Sequence, residues 1–313
     1  MTAPPPDSPT LRLVFFGMFG PLSRLPLAAL LAAGCDVRAV VVPPREGGGD
    51  GAAPRRLEPP PGYDARPAGL AALLRQTVVD LAWERGIPVL EVARPGAPET
   101  LAALAAYAPD LIAVSCFPSR LPRTLRALPR LGCLNLHPAL LPTNRGPAPL
   151  FWTFREGLSR TGVTAHLMDG GLDSGPIVVQ EGFDLADGTT GDELELRCAA
   201  LGGEVLVAAA RGLADGTLAP RPQDEARATA HPWPCAADFV VTPDRPARWA
   251  FNFIRGTAGW GYPHRLVTPA GACTVRAALA YDPAARLAAP LVRAGAAVRV
   301  RCAPGVLTVA VAD

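Results

Sequence analysis

Lysine is absent from this chain: its 30 basic side chains are all Arg, set against 28 carboxylates for a formal net charge of +2. That balance does not mark the whole chain as a nucleic-acid binder, and no DNA partner is expected. Although 49% of residues are apolar, no run approaches the roughly 20 uncharged residues that a membrane span needs, so no membrane partner is expected either. Residues Met1–Thr10, rich in Pro and small polar types, lack the basic and apolar regions of a secretory signal and read as a flexible tail on a cytoplasmic protein. The seven cysteines are scattered singly, with no C-x-x-C pair and no His at zinc-ligand spacing, which predicts reduced, mostly buried thiols and no metal. Gly17 and Gly20 follow the first apolar run without completing G-x-G-x-x-G or G-x-x-x-x-G-K-[ST], which disfavours a dinucleotide or P-loop site. No internal repeat is present.

At 313 residues the chain exceeds what one hydrophobic core usually serves, and two unequal domains are expected. Short apolar runs at Leu11–Gly17, Val37–Val42, Pro88–Val92 and Asp110–Ser115 alternate with helical spacing at Pro26–Ala33, Leu70–Arg85 and Pro98–Tyr107. That alternation predicts an α/β domain over residues 11–216, a Rossmann-like parallel sheet with ligands beyond the carboxyl ends of its strands. The Pro/Gly-rich stretch Pro43–Pro61 reads as loop. A helix over Asp192–Ala214, bent at Gly202 and Gly203, closes the domain. Residues 217–234 lack periodicity and read as a linker. Beyond them a strand-like Asp238–Thr242, a helix near Arg245–Arg255 and runs at Arg265–Thr268, Cys273–Ala280, Ala297–Cys302 and Val306–Val311 predict a small β-barrel over residues 235–313.

Two segments carry chemistry. In Gly132–Pro149 (GCLNLHPALLPTNRGPAP) a short strand is interrupted by Asn135 and His137, which share a face because they lie two residues apart. An amide and an imidazole side by side supply donors for a developing oxyanion, and the Pro-rich loop after them forms a rigid wall. In Thr161–Gln180 (TGVTAHLMDGGLDSGPIVVQ) a strand runs into a Gly-bracketed turn carrying Asp169 and Asp173, where backbone groups are left open to a ligand. An Asp173 close to His137 would favour imidazolium and raise the His pKa. His166 reads as structural, and Arg145 reads as either a binder of an anionic part of a substrate or a pin for its loop.

Together these segments resemble the 10-formyltetrahydrofolate-dependent formyltransferases, a family that includes methionyl-tRNA and glycinamide ribonucleotide formyltransferases. The resemblance rests on N-x-H-P-x-L-L-P-x-x-R-G at Asn135–Gly146 and G-x-D-x-G at Gly171–Gly175. It implies Asn135, His137 and Asp173 as the catalytic triad. It also implies a folate cosubstrate between the turn at Asp169 and Gly170 and the segment Cys116–Pro122, lined by Phe117, Ser119 and Leu121, with Leu141, Pro142 and Arg145 toward the other substrate.

The segments Pro222–Trp233 (PQDEARATAHPW) and Arg245–Pro263 (RPARWAFNFIRGTAGWGYP) resemble the linker and OB-like carboxyl-terminal domain of the methionyl-tRNA enzymes. From Arg227 onward there are ten Arg and four carboxylates, an excess suited to phosphate contacts. Trp249, Trp260 and Tyr262 read as core aromatics rather than base-stacking groups. Initiator methionyl-tRNA is therefore the expected acceptor, in a monomeric enzyme. Against it, Pro43–Pro61 offers only Arg45, Arg55 and Arg56, offset by Glu46, Asp50 and Glu58, where the tRNA enzymes carry a strongly basic loop. Formylation of an amino sugar or other small amine, hydrolysis of 10-formyltetrahydrofolate, and folate binding without transfer are the alternatives.

Overall fold

The computed structural model describes residues 11–45, 50–63, 76–295 and 297–312. The tail read over Met1–Thr10, Glu46 in the Pro/Gly-rich stretch, and residues 70–75 of the helix expected over Leu70–Arg85 lie outside the described residues. The chain divides into two compact units, the first made of residues 1–145, 162–181 and 196–229, the second of residues 146–161, 182–195 and 230–313.

Strands β1 (Arg12–Gly17), β2 (Asp36–Val42), β3 (Arg55–Leu57), β4 (Val89–Glu91), β5 (Leu111–Ser115), β6 (Cys133–His137), β7 (Arg160–Leu167) and β8 (Ile177–Asp184) form one sheet in the order β3-β4-β2-β1-β5-β6-β7-β8. Its centre, β4-β2-β1-β5-β6, is parallel throughout. The central strands LVFF and LIAVS are continuous apolar runs because both of their faces are buried. Phe15 and Phe16 are fully enclosed, each contributing about 1.5–3 kcal/mol through apolar burial.

The flanks of the sheet are antiparallel, β3 on β4 and β7 on β6, so the sheet is mixed rather than wholly parallel. Strand β3 lies inside Pro43–Pro61, a stretch whose Pro and Gly content predicts loop throughout. Arg55 there donates to the buried Glu91 at 2.8 and 3.0 Å. The strand exists because its partner β4 supplies both backbone bonds and a carboxylate, neither of which is local in sequence.

The helix Gly191–Ala214 is a single element. Gly202 and Gly203 are close-packing positions: a Cβ on Gly202 would stand 2.6 Å from Leu136 Cδ2, and one on Gly203 2.8 Å from Ala29 Cβ. Close helix approach at Leu136 buries the back of β6 and leaves its other face for Asn135 and His137.

In the second unit, strands β9 (Val240–Val241), β10 (His264–Thr268), β11 (Gly271–Asp282), β12 (Leu291–Ala294), β13 (Ala297–Arg301) and β14 (Val306–Val311) form a sheet in the order β12-β13-β14-β11-β10-β9. The helix Ala247–Gly256 buries Trp249, Ala250, Phe253 and Ile254. Trp249 stacks on Phe253 at 5.2 Å, so it is a core aromatic, whereas Tyr262 is 41% exposed.

His264 is buried between Phe239 and Phe253, 5.3 Å from each ring, and its Nε2 lies 2.7 Å from Thr257 Oγ1. Burial pushes its pKa down to about 4. The folded state therefore favours neutral His264, and this contribution is complete above the unfolded value near 6.5 and is lost as pH falls toward 4, a difference of about 3 kcal/mol. Denaturant unfolding followed by tryptophan fluorescence should show the wild type losing stability between pH 7 and 4 by roughly that amount more than His264→Gln. Parallel pH dependences in the two proteins would refute it.

Candidate active site

Strand β6 carries two polar side chains through an apolar sheet. Antiparallel pairing with β7 sets Asn135 opposite His166 and His137 opposite Thr164. Beyond β7 the chain turns at Asp169, whose Oδ1 accepts from Gly171 N at 2.9 Å and Ser174 Oγ at 2.8 Å. This Asx-type turn projects Asp173, in the left-handed region at φ 51°, back toward β6. Asp tolerates that conformation better than most residues, because its short polar side chain bonds locally.

Asn135, His137 and Asp173 converge as the sequence leads one to expect. Asn135 Nδ2 donates to Asp173 Oδ1 at 3.4 Å, and His137 Nδ1 lies 3.7 Å from Asp173 Oδ2. His166, for which the sequence predicts a structural role, joins them: its Nε2 is 3.1 Å from Asn135 Nδ2 and 3.6 Å from Asp173 Oδ1. The signal that could have found it was its strand register against Asn135, which depends on how β6 and β7 pair.

The contacts assign the protons. His137 Nε2 is 2.8 Å from the Asn144 carbonyl, which can only accept, so Nε2 carries a hydrogen and Nδ1 presents its lone pair toward Asp173. His166 Nδ1 donates to the Leu167 carbonyl at 3.1 Å, leaving Nε2 to accept from Asn135. Both amide protons of Asn135 are thereby engaged.

His137 is 4% exposed, and burial holds its pKa below the ordinary value. The Asp173 carboxylate and the Asn144 carbonyl act in the opposite direction. The expected rise is thus corrected: desolvation of the imidazolium outweighs a carboxylate that stands 3.7 Å away. The resting His137 is neutral.

A cavity of about 240 Å³ opens beside Asp173, lined by Leu121, Pro122, His166, Met168 and the turn Asp169–Asp173, with Arg120 and Arg126 also on its wall. Three residues expected to contact folate, Leu121, Asp169 and Gly170, line it. Phe117 packs edge-to-face on Phe16 at 5.1 Å and Ser119 is exposed; neither lines this cavity. Arg120, Arg126 and Met168 were missed, because a side chain's orientation toward a cavity has no periodic signature. No group of three or more His, Cys, Asp or Glu side chains is placed to hold a metal ion among the described residues.

The residues expected toward the second substrate are built into the loop after β6. Leu141 is buried, with its N–H on Thr164 Oγ1 at 3.2 Å and its carbonyl accepting from Gln180 at 2.8 Å. Pro142 is half-buried, and its carbonyl accepts from Thr229 N at 3.2 Å. Arg145 is buried in a bidentate pair with Glu225 at 2.7 and 2.9 Å. Of its two expected roles, the structure builds the pin.

Residues 12–210 match the family described as Formyl transferase. Methionyl-tRNA formyltransferase of Pelobacter propionicus is 36% identical over 234 residues, 75% of this chain and 67% of that protein. The enzyme of the same name from Synechococcus sp. (strain JA-3-3Ab) is 42% identical over 176 residues, 56% of this chain and 55% of that protein. The chain thus spans between about half and two thirds of the length of these two relatives. Among solved structures, the N-formyltransferase of Helicobacter canadensis, in complex with folinic acid and dTDP-3-aminofucose, superposes with a TM-score of 0.65 at 12% identity, covering 96% of this chain and 99% of that one. At that identity the likeness concerns the fold.

Proposed function

The chain belongs to the formyl transferase family, and from that premise we propose that it transfers the formyl group of 10-formyltetrahydrofolate to the amino group of initiator methionyl-tRNA. The observation that carries this reading is the convergence of Asn135, His137 and Asp173 beside a cavity of suitable chemistry. Leu121 and Met168 give that cavity an apolar surface for a folate ring, and Arg120 and Arg126 offer cations to folate carboxylates. Its volume is below the roughly 300–1,000 Å³ that encloses a drug-sized ligand, so it takes part of the folate rather than the whole.

In this mechanism the neutral amine attacks the formyl carbon, and the carbonyl oxygen becomes an oxyanion. Asn135 donates to it by redirecting the N–H that now points to Asp173 at the longer 3.4 Å contact. The amine must lose one proton while N10 of the departing folate gains one. Neutral His137 is suited to take the first at Nδ1, where Asp173 stabilises the imidazolium that forms, and to return it as the carbon–N10 bond breaks. The transfer chemistry is assigned to residues 11–216 and acceptor recognition to residues 235–313, with residues 217–234 linking them.

A second reading, formylation of a small amine such as an amino sugar, is favoured by one observation: two of the few basic side chains in Pro43–Pro61 are already paired, Arg55 with Glu91 and Arg56 with Glu58, each at 2.8 Å. Salt separates the two. If tRNA is the acceptor and makes about six phosphate contacts, binding should weaken by roughly 10³-fold between 50 and 200 mM salt, whereas a small amine should show little dependence. The test incubates protein, 10-formyltetrahydrofolate and charged initiator tRNA, with an Asp173→Asn control. Formylated tRNA lost in the control supports the reading; unformylated tRNA alongside a formylated amino sugar overturns it in favour of the second.

A further inference from the structure

The segment 221–229 lies far along the chain from the convergent residues and is bound at several points to the loop and turn beside them. Arg221 forms an isolated antiparallel bridge with Ile177, at the start of β8. Thr229 is tied to the loop after β6: its N–H reaches the Pro142 carbonyl at 3.2 Å, its carbonyl accepts from Arg145 N at 2.9 Å, and its Oγ1 accepts from Asn144 N at 2.9 Å. Asn144 is the residue whose carbonyl orients His137.

Between these anchors, Gln223 Nε2 donates to the carbonyls of Asp173 and Gly175, both at 2.7 Å. Its Oε1 accepts from Arg145 Nε at 3.2 Å and Nη2 at 2.8 Å. The amide can take only this orientation, because guanidinium offers only donors and the two carbonyls only acceptors. Arg145 completes the series by donating Nη1 and Nη2 to Glu225, leaving one of its five N–H groups outside these contacts. Charge at Arg145 polarises the Gln223 amide and strengthens the protons it donates.

Asp173 needs such a brace. It is a non-glycine residue at φ 51°, a conformation that persists when surrounding contacts over-determine it. We propose that Gln223 is a positioning residue for Asp173, oriented by the Arg145–Glu225 pair, so that the strap 221–229 sets the distance between the Asp173 carboxylate and His137. The proposal rests on Asp173 serving the transfer reaction. The strap also holds Asn144, and through it His137, so both members of the proton-handling pair depend on one segment.

Two variants test it. Gln223→Glu keeps the shape and the Arg145 contact but turns an oxygen on two carbonyls; Gln223→Met keeps the bulk and removes the polar contacts, and if one fails to fold the other carries the test. Each is expected to lower kcat by about 10- to 100-fold with the donor's KM little changed, since a displacement of about 1 Å can cost 100-fold. In Gln223→Met the acid limb of the pH profile should move to lower pH, because a carboxylate that supports imidazolium has been moved away. A crystal structure of Gln223→Met, which does not depend on activity, should show the Asp173 carboxylate displaced from His137.

The proposal is overturned if folded variants keep kcat within about twofold and Asp173 stays in place, or if kcat falls only in proportion to folded protein. It is overturned equally if kcat falls while Asp173 remains where it is. Failure of the underlying reading looks different: the wild type then transfers formyl to no acceptor, and the position of Asp173 in the variant alone decides the role of Gln223.

Discussion

Replacing Asp173 with Asn is expected to lower single-turnover formyl transfer by roughly 10²- to 10⁴-fold, the range that a positioned proton-transfer group contributes, with donor binding largely retained. The carboxylate stands 3.7 Å from His137 Nδ1 and accepts from Asn135 at 3.4 Å, and its side chain is only 13% exposed. It therefore acts on His137 through a poorly solvated gap, where charge counts for more than in water. The resting His137 is held neutral by burial, and Asp173 is the leading influence in the opposite direction. Without the carboxylate the lowering deepens. The sign of the pH effect follows. Neutral His137 is the form that takes the amine proton, so the wild-type rate should rise with pH through a limb below about 6.5, the ordinary value for His, and that limb should lie lower still in Asp173→Asn. A variant with near-normal single-turnover rates, or a limb displaced upward, would refute the assignment of Asp173 as the partner of His137. Conserving shape while deleting charge makes Asn more informative than Ala, which would also open space in the turn.

The parts of this site that could be read from sequence are those whose geometry is local. Asn135 and His137 share a face of β6 because strand periodicity is two, and the turn Gly171–Gly175 announces itself by its glycines. Three further features depend on how distant segments meet. His166 reaches Asn135 through the β6–β7 register, which nothing within either strand specifies. Gln223 and Glu225 lie 78 and 80 residues from Arg145, in a segment that has no periodicity and so reads as linker. Polar residues clustered within Pro222–Arg227 were the available clue, since an unpatterned polar run can serve another part of the chain. The net pKa shift of His137 is opposite in sign to the effect of its carboxylate, because a charge partner can be inferred from a motif, whereas the burial that opposes it belongs to the finished fold. Strand β3 was hidden for a similar reason: Arg55 and its neighbours extend because β4 is already there to receive them. Fold class was legible in the alternating runs, and the antiparallel flanks were not, since apolar composition reports burial and not strand direction.

Gly175→Ala is expected to lower kcat by about 100-fold or more in protein that still folds. The residue is not in the left-handed region, so the requirement is space rather than backbone freedom. A Cβ there would stand 1.7 Å from the Leu167 carbonyl oxygen and 2.9 Å from its carbonyl carbon, with Asp169 N at 3.3 Å. All three are backbone atoms of β7 and the turn, and none can rotate aside as a side chain could. The chain must instead separate by more than about 1 Å, because real Cβ contacts essentially never fall below 3.0 Å. Two neighbouring contacts constrain where the movement goes. Leu167 N–H bonds the Pro176 carbonyl at 2.9 Å, and the Gly175 carbonyl itself accepts from Gln223. Displacement is therefore passed to the exposed side of the turn, toward Asp173 two residues earlier, and its carboxylate leaves His137. Overpacking of this kind costs typically about 1–3 kcal/mol, which a domain of this size can absorb, so activity should fall much further than stability. Parallel measurements of thermal unfolding and single-turnover transfer check this. Wild-type turnover in Gly175→Ala would mean that the turn can relax without moving Asp173, and a protein that fails to fold would mean that β7 and β8 depend on this contact for their assembly as well as for the placement of the carboxylate.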